Sequence, residues 1–376
     1  MPQLIYLDYN ATTPVLDDVR SEVEKTLKEY WGNPSSSHLI GQRAKERLEW
    51  ARRQVATLIN SAPEEVVFTS GGTESNNMAI IGTALAYSAR GKHLITSRIE
   101  HPSVLNPFIH LMEQGFEVDF VSPDKYGVVS AEKLATFIRS DTIFCSIMLA
   151  NNETGALQPV DEIGKICHEK GIIFHTDAAQ AVGKIPVDVS KIGCDLLTIA
   201  GHKLYAPKGI GALYVKKGTD MANILFGAGQ EMGKRPGTEP VPGACGLGRA
   251  TKVLKDKIDD ETERQNQLRE LLFKRLNSNF KDLIRFVPAE KSLPNTLAVS
   301  FPHISGATLL ERIPNVMAST GAACHDRSTS VSHVLSAMGV EKQVALGMVR
   351  FSIGLFTTWE EIEIAAEQII QAASKD

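Results

Sequence analysis

The first two-thirds of the chain alternates short, wholly apolar runs with longer amphipathic stretches, and this alternation restricts the fold more than any other feature. Wholly apolar runs suit strands buried on both faces. Amphipathic stretches between them suit crossover helices, so the pattern predicts an α/β protein with a mainly parallel sheet covered by helices on both sides. Strands are expected at Val66–Thr69, His93–Thr96, Phe116–Val121, Thr142–Met148, Ile172–Thr176, Leu196–Ile199 and Gly211–Val215, a seven-stranded sheet. Helices are expected at Leu16–Tyr30, Gly41–Ile59, Thr73–Ser88, Ser103–Gln114 and Val160–Glu169, with a long one over Cys245–Leu276. The charge-dense stretch from Lys252 to Arg275 reads as a solvated helix face joining two units. After it, strands near Thr296–Phe301 and Met348–Ile353 and helices near Ala307–Arg312, Ser332–Met338 and Trp359–Ala373 make a smaller α+β unit. The expected division is a large unit, 16–255, and a small unit, 1–15 with 256–376.

A length of 376 residues gives room for two units with real cores. Forty basic against 44 acidic side chains, a net charge of -4, carry no polybasic signature and argue against nucleic acid as a partner. No run of about 18 apolar residues and no charged-then-apolar leader is present, so the expectation is a soluble, cytoplasmic protein without membrane association. The five cysteines, Cys145, Cys167, Cys194, Cys245 and Cys324, include no Cys-x-x-Cys pair, and no metal site is expected. Four of them fall in strand or helix patterns and read as packing. Cys324 lies instead in Gly321-Ala322-Ala323-Cys324-His325-Asp326-Arg327, a small-residue loop where His325 and Arg327 favour a reactive thiolate.

Gly71-Gly72-Thr73-Glu74-Ser75-Asn76 follows a predicted strand and opens a predicted helix. Free N–H groups and a hydroxyl at the positive end of a helix make an anion site there, with a capped turn as the plainer reading. The absence of Gly-x-Gly-x-x-Gly and of Gly-Lys-Ser/Thr argues for a ligand with one phosphate rather than a dinucleotide or a triphosphate. Asp177 ends one predicted strand and Lys203 follows the next, which brings a carboxylate and an amine to one sheet edge, where ligands of open α/β folds bind. An acid, a lysine and a one-phosphate site together match what pyridoxal phosphate requires: the lysine bonds its aldehyde and the acid keeps its ring nitrogen protonated.

Seven segments, in order and over residues 7 to about 358, resemble the cysteine desulfurase family. They are Leu7-Asp8-Tyr9-Asn10-Ala11-Thr12-Thr13-Pro14, Gly32-Asn33-Pro34-Ser35-Ser36, Thr69 through Asn76, His175-Thr176-Asp177-Ala178-Ala179-Gln180, Gly201-His202-Lys203-Leu204-Tyr205, Arg235-Pro236-Gly237-Thr238 and Arg350-Phe351-Ser352-Ile353-Gly354. The resemblance implies a class V, fold-type I pyridoxal phosphate enzyme, a homodimer, that removes sulfur from L-cysteine or selenium from L-selenocysteine and leaves L-alanine. It implies that Lys203 holds the cofactor aldehyde, Asp177 pairs with the ring nitrogen, Gln180 and Asn152 bond the ring oxygen and His101 stacks on the ring. Gly72, Thr73 and His202 would hold the phosphate, with Thr238 reaching in from a second copy. Asn33 and Arg350 would grip the substrate carboxylate, and Cys324 would take the sulfur as a persulfide for an acceptor such as an iron–sulfur scaffold protein.

Three departures bear on the resemblance. Ala200 stands where many relatives place a phosphate-binding serine, so one charge-assisted hydrogen bond, worth roughly 1.5–3 kcal/mol, is missing. Ala323-Cys324-His325 and Met148 through Gly155 look more like the selenocysteine lyase branch than the usual Ser-Ala-Cys-Thr of desulfurases, whereas Pro102 after His101 looks like the desulfurases. Leu355 replaces a common polar residue. Cysteine desulfurase is the expected activity, with selenocysteine lyase and, more remotely, a class V aminotransferase as alternatives. A scaffold that only binds acceptor proteins does not suit so complete a set of reactive residues.

Overall fold

A computed structural model of the chain describes residues 4–320 and 331–374. Its main sheet has seven strands, in spatial order Val66–Thr69, Gly211–Val215, Leu196–Ala200, Ile173–Asp177, Thr142–Ser146, His93–Ser97 and Glu117–Val121. All pairings are parallel except the two made by Gly211–Val215, which runs antiparallel to both neighbours. The exception follows from chain length: the connection 201–210 is too short for a crossover, which takes a dozen residues or more, so the strand folds back as a hairpin. That hairpin loop carries Lys203.

Five of the seven strands are buried at every residue, as helices on both faces require. One apolar core packs Val55, Phe68, Ile95, Phe174 and Leu247 on one side of the sheet. A second packs Val67, Met78, Phe108, Phe144 and Leu213 on the other. Helix Gly72–Asn77 continues through a π turn at Met78–Gly82 into Thr83–Tyr87, so the expected single helix is one continuous element with a wider middle turn.

The expected long helix over Cys245–Leu276 is two helices, Val241–Lys255 and Ile258–Asn277, broken where Lys257 takes φ -120° and ψ -5°. The first packs against Asp17–Glu29 and Leu39–Ile59, the second against Trp359–Ala373, so the two halves serve different cores. Ile258–Asn277 buries Leu268, Leu272 and Leu276 beneath an otherwise polar face, but Arg269 is also buried, donating to the Leu293 carbonyl at 2.6 Å.

A three-stranded antiparallel sheet, Met348–Ser352, Thr296–Ser300 and Ile284–Arg285, builds the rest of the chain. A third core gathers Ile5 and Leu7 with Leu268, Leu297, Val349, Phe351 and Ile362. The start of the chain joins this region through a parallel pairing of Ile5–Tyr6 with Val316–Met317 and a bridge from Asp8 to Ser352. No helix among the described residues is long and apolar enough to cross a membrane. No group of three or more His, Cys, Asp or Glu among them is placed to hold a metal ion.

Candidate active site

The strand Ile173–Asp177 ends in a carboxylate and Leu196–Ala200 runs into a one-turn helix, Gly201–Lys203, so Asp177 and Lys203 meet at one edge of the sheet. Both line a cavity of about 280 Å³, together with Asn10, Gly72, Thr73, His101, Asn152, Gln180, Ala200, His202 and Arg350. A second, wider hollow of about 630 Å³ adjoins it past Thr73 and His101, toward Asn106 and His110.

Lys203 Nζ donates to the carbonyls of Asn10, at 2.5 Å, and Ala11, at 2.8 Å. Burial, aided by the Arg350 charge, lowers its pKa to about 8, against the pull of Asp8 and Asp177. Neutral acceptors and a lowered pKa leave an amine ready to react. Asp177 is buried, with Oδ1 accepting from the Ala179 N–H at 2.9 Å and Oδ2 from Asn76 Nδ2 at 2.8 Å. The same Asn76 nitrogen donates to Ser103 Oγ at 2.8 Å, and Ser103 reaches His101 Nδ1 through its hydroxyl, at 2.8 Å, and its N–H, at 3.1 Å. His101 is also the cap of helix Pro102–Glu113. Because its Nδ1 accepts from a backbone N–H, the ring proton sits on Nε2. Its pKa is held below the ordinary histidine value, chiefly by desolvation.

At the opposite wall, Gly71 takes φ +149°, a conformation open to glycine, and starts helix Gly72–Asn77. The first amides of a helix have no partner within it, so those of Gly72 and Thr73 are available to an anion. Gly72 has no side chain and faces the Ala200 methyl, so the wall here is backbone. His202 Nδ1 lies 3.2 Å from Thr12 Oγ1, and burial beside Lys203 lowers its pKa to about 4, which keeps the ring neutral.

Arg350, buried on Met348–Ser352, donates from Nη1 to the Asn152 carbonyl at 2.8 Å and from Nη2 to Asp8 at 2.6 Å. Among the described residues its Nε, also buried, has no partner. Asn33 and Thr238 stand outside this cavity: Asn33 is exposed, with Oδ1 accepting from the Ser35 N–H at 2.9 Å, and Thr238 is exposed on the loop before helix Val241–Lys255. Cys324 lies outside the described residues. Cys145, Cys167, Cys194 and Cys245 are buried, and burial pushes the thiols of Cys145, Cys194 and Cys245 up, the last to about 11. Asp8, Asn10, Asn76, Ser103 and Lys184 belong to the site but were not among the expected site residues. Asp8, Asn10 and Asn76 sit inside the motifs quoted above, so the signal was present, but only tertiary contacts give them their tasks.

These features define a pyridoxal phosphate enzyme of fold type I, and the chain belongs to the aminotransferase class-V family, whose model matches residues 5–364. Within that family its relatives are cysteine desulfurases. The cysteine desulfurase IscS of Dictyoglomus turgidum is 43% identical over 100% of this chain and 96% of that protein. A solved NifS-like protein superimposes with a TM-score of 0.92 at 36% identity, covering 98% of this chain and 99% of the other. The structure described as SspA in complex with cysteine gives 0.82 at 34% identity, over 94% and 100% of the two chains.

Proposed function

We propose that this protein is a pyridoxal phosphate-dependent cysteine desulfurase that converts L-cysteine to L-alanine and passes the sulfur, as a persulfide on Cys324, to an acceptor protein of the iron–sulfur scaffold type. The observation that carries this reading is the convergence of Lys203, Asp177 and Arg350 on one small cavity. The residues fit the cofactor. An amine lies opposite a carboxylate, and a glycine-walled helix start offers amides to a phosphate. When bound, pyridoxal phosphate supplies an electron sink for the bonds broken at the substrate's α-carbon.

Each side chain then has a task that its surroundings support. Lys203 bonds the cofactor aldehyde, and Asp177, fixed by Asn76 and Ala179, presents a carboxylate to the ring nitrogen. Gln180 and Asn152 serve the ring oxygen. Gly72, Thr73 and His202 hold the phosphate, and Thr238, exposed on its own chain, serves the cavity of a second copy in a homodimer. His101 faces the ring and keeps its proton on Nε2. Arg350 binds the substrate carboxylate with Asn33, and the thiolate of Cys324 attacks the substrate sulfur, forming an S–S bond as the carbon–sulfur bond breaks. The large unit 16–255 carries the cofactor, and the small unit, 1–15 with 256–376, brings Arg350. The separate apolar core holding Ile5, Leu7 and Phe351 supports that division.

Borohydride reduction of the loaded protein followed by peptide mapping tests the reading. The pyridoxyl group is expected on Lys203, alongside alanine and sulfide from L-cysteine in the presence of a reductant. A label on another lysine, or a 2-oxo acid in place of alanine, would replace it.

A further inference from the structure

Lys184 is buried, and none of the tasks above falls to it. Gly183, at φ +80°, turns the chain just before the lysine, whose amine reaches Gln180 and Asn10. The turn is glycine's because a side chain there would come within 2.8 Å of Leu254. The amine donates to Gln180 Oε1 at 2.7 Å and to Asn10 Oδ1 at 2.9 Å, and no carboxylate pairs with it among the described residues. A lysine buried with only amide oxygens is costly to keep, and burial drives its pKa well below the ordinary value. Its contacts therefore have to be worth that cost.

Gln180 is constrained from both ends. Its Nε2 donates to the Asn10 carbonyl at 3.0 Å while its Oε1 accepts from Lys184. The Asn10 carbonyl can only accept, which sets the Gln180 nitrogen on its side, and the Lys184 amine donates to the oxygen left on the other. The nitrogen has two N–H groups and one is used on Asn10, which leaves the other for the cavity that Gln180 lines. The Asn10 carbonyl also accepts from Lys203 Nζ at 2.5 Å, and Asn10 Oδ1 accepts from Asn295 Nδ2 at 3.1 Å as well as from Lys184. Lys184 thus braces both the carboxamide that faces the cofactor and the peptide on which the resting Lys203 leans.

We propose that Lys184 is a positioning residue that locks the Gln180 carboxamide with its N–H toward the ring oxygen of the cofactor. The proposal rests on the cofactor reading above. Without the lysine only the Asn10 carbonyl holds the carboxamide, and its Oε1 is left buried without a donor, so the N–H is aimed at the ring oxygen less firmly.

The test is a double-mutant cycle on the full-length protein: wild type, Lys184→Met, Gln180→Ala and the double variant. Each is stripped of cofactor and retitrated with pyridoxal phosphate, and the visible spectrum and the kcat and KM for L-cysteine are recorded. Lys184→Met is expected to weaken cofactor binding about tenfold, the loss of one net hydrogen bond. It should also shift the visible band in the direction that Gln180→Ala shifts it. Adding Lys184→Met to Gln180→Ala should then cost nothing further. Equal losses in both backgrounds, or unchanged affinity and spectrum in a folded Lys184→Met protein, overturn the proposal. Should Lys184→Met not fold, Lys184→Leu takes its place in the cycle, with the same losses expected and the same outcomes overturning the proposal. A wild type that takes up no pyridoxal phosphate would overturn the cofactor reading and this proposal with it, whereas normal wild-type uptake confines a failure to Lys184.

Discussion

The guanidinium of Arg350 and the carboxylate of Asp8 are paired inside the cavity wall, Nη2 to Oδ1 2.6 Å apart, although their residues lie at opposite ends of the chain. A substrate carboxylate must therefore share this guanidinium with a resident acid. The other η nitrogen already donates to the Asn152 carbonyl and Nε is buried, so the openings left to a substrate are the second N–H of each η nitrogen.

Replacing Arg350 by lysine keeps the charge and removes the fork. The expected outcome is a KM for L-cysteine raised at least about tenfold, with a smaller change in kcat, since one charge-assisted hydrogen bond is worth about 1.5–3 kcal/mol. Steady-state alanine formation checks it. An unchanged KM would remove Arg350 from the substrate's path.

The lowered pKa of Lys203 predicts how the cofactor-free protein loads. Only the neutral amine attacks an aldehyde, so the uptake rate should rise with pH through about 8, below the range of an ordinary lysine. Arg350 lowers this value and Asp177 raises it, so Arg350→Ala should move the midpoint up and Asp177→Asn should move it down. Stopped-flow absorbance at a series of pH values reads both shifts. Lys203→Ala should show no covalent uptake at any pH.

Cys324→Ala should abolish alanine formation from L-cysteine while sparing a measurable activity on L-selenocysteine, because a selenol is the better leaving group. Mass spectrometry of wild type mixed with L-cysteine should find one added sulfur on Cys324 and none on the four buried cysteines. Undiminished desulfuration by the variant would end the persulfide mechanism.

His175 lies beneath the site with Ser146 Oγ at 2.8 Å and Thr198 Oγ1 at 3.1 Å, and burial lowers its pKa to about 3. The folded state therefore keeps the ring neutral where the unfolded chain, with a pKa near 6.5, takes up a proton. Stability from this residue is complete above about pH 6.5 and is lost as pH falls toward about 3. At pH 5 the loss is about 2 kcal/mol. A His175→Gln variant should show a correspondingly shallower fall in melting temperature between pH 7 and pH 5, measured by differential scanning calorimetry. Parallel curves for the two proteins would contradict the assignment.

What could be read from the residues alone follows from which signals are local. The strand Val66–Thr69 and the helix Trp359–Ala373 were legible to the residue, because an apolar run or an amphipathic period announces each. The break at Lys257 was not, because no proline or glycine marks it and the charges on both sides share one helical pattern. Asp177 and Lys203 could be placed because strand ends in a parallel sheet share an edge. Asn76 and Lys184 could not: an asparagine in a helix and a lysine after a glycine carry no chemical sign until folding sets them against Asp177 and Gln180. Asn33 and Thr238 read as site residues through the family motifs, yet a single chain holds them outside the cavity.

The pairing of the chain's first residues with its last strand also bears on when the protein can become active during synthesis. The Asn10 N–H is held by Ser352 Oγ at 2.9 Å, its Nδ2 by Thr296 Oγ1 at 2.9 Å, and its carbonyl supports Lys203. A ribosome-bound chain that has already exposed Lys203 still lacks Arg350 and the partners that seat Asn10. Vitamin capture therefore has to wait until the strand carrying Arg350 and Ser352 has been made, and a product truncated before it would emerge with its reactive lysine unbraced.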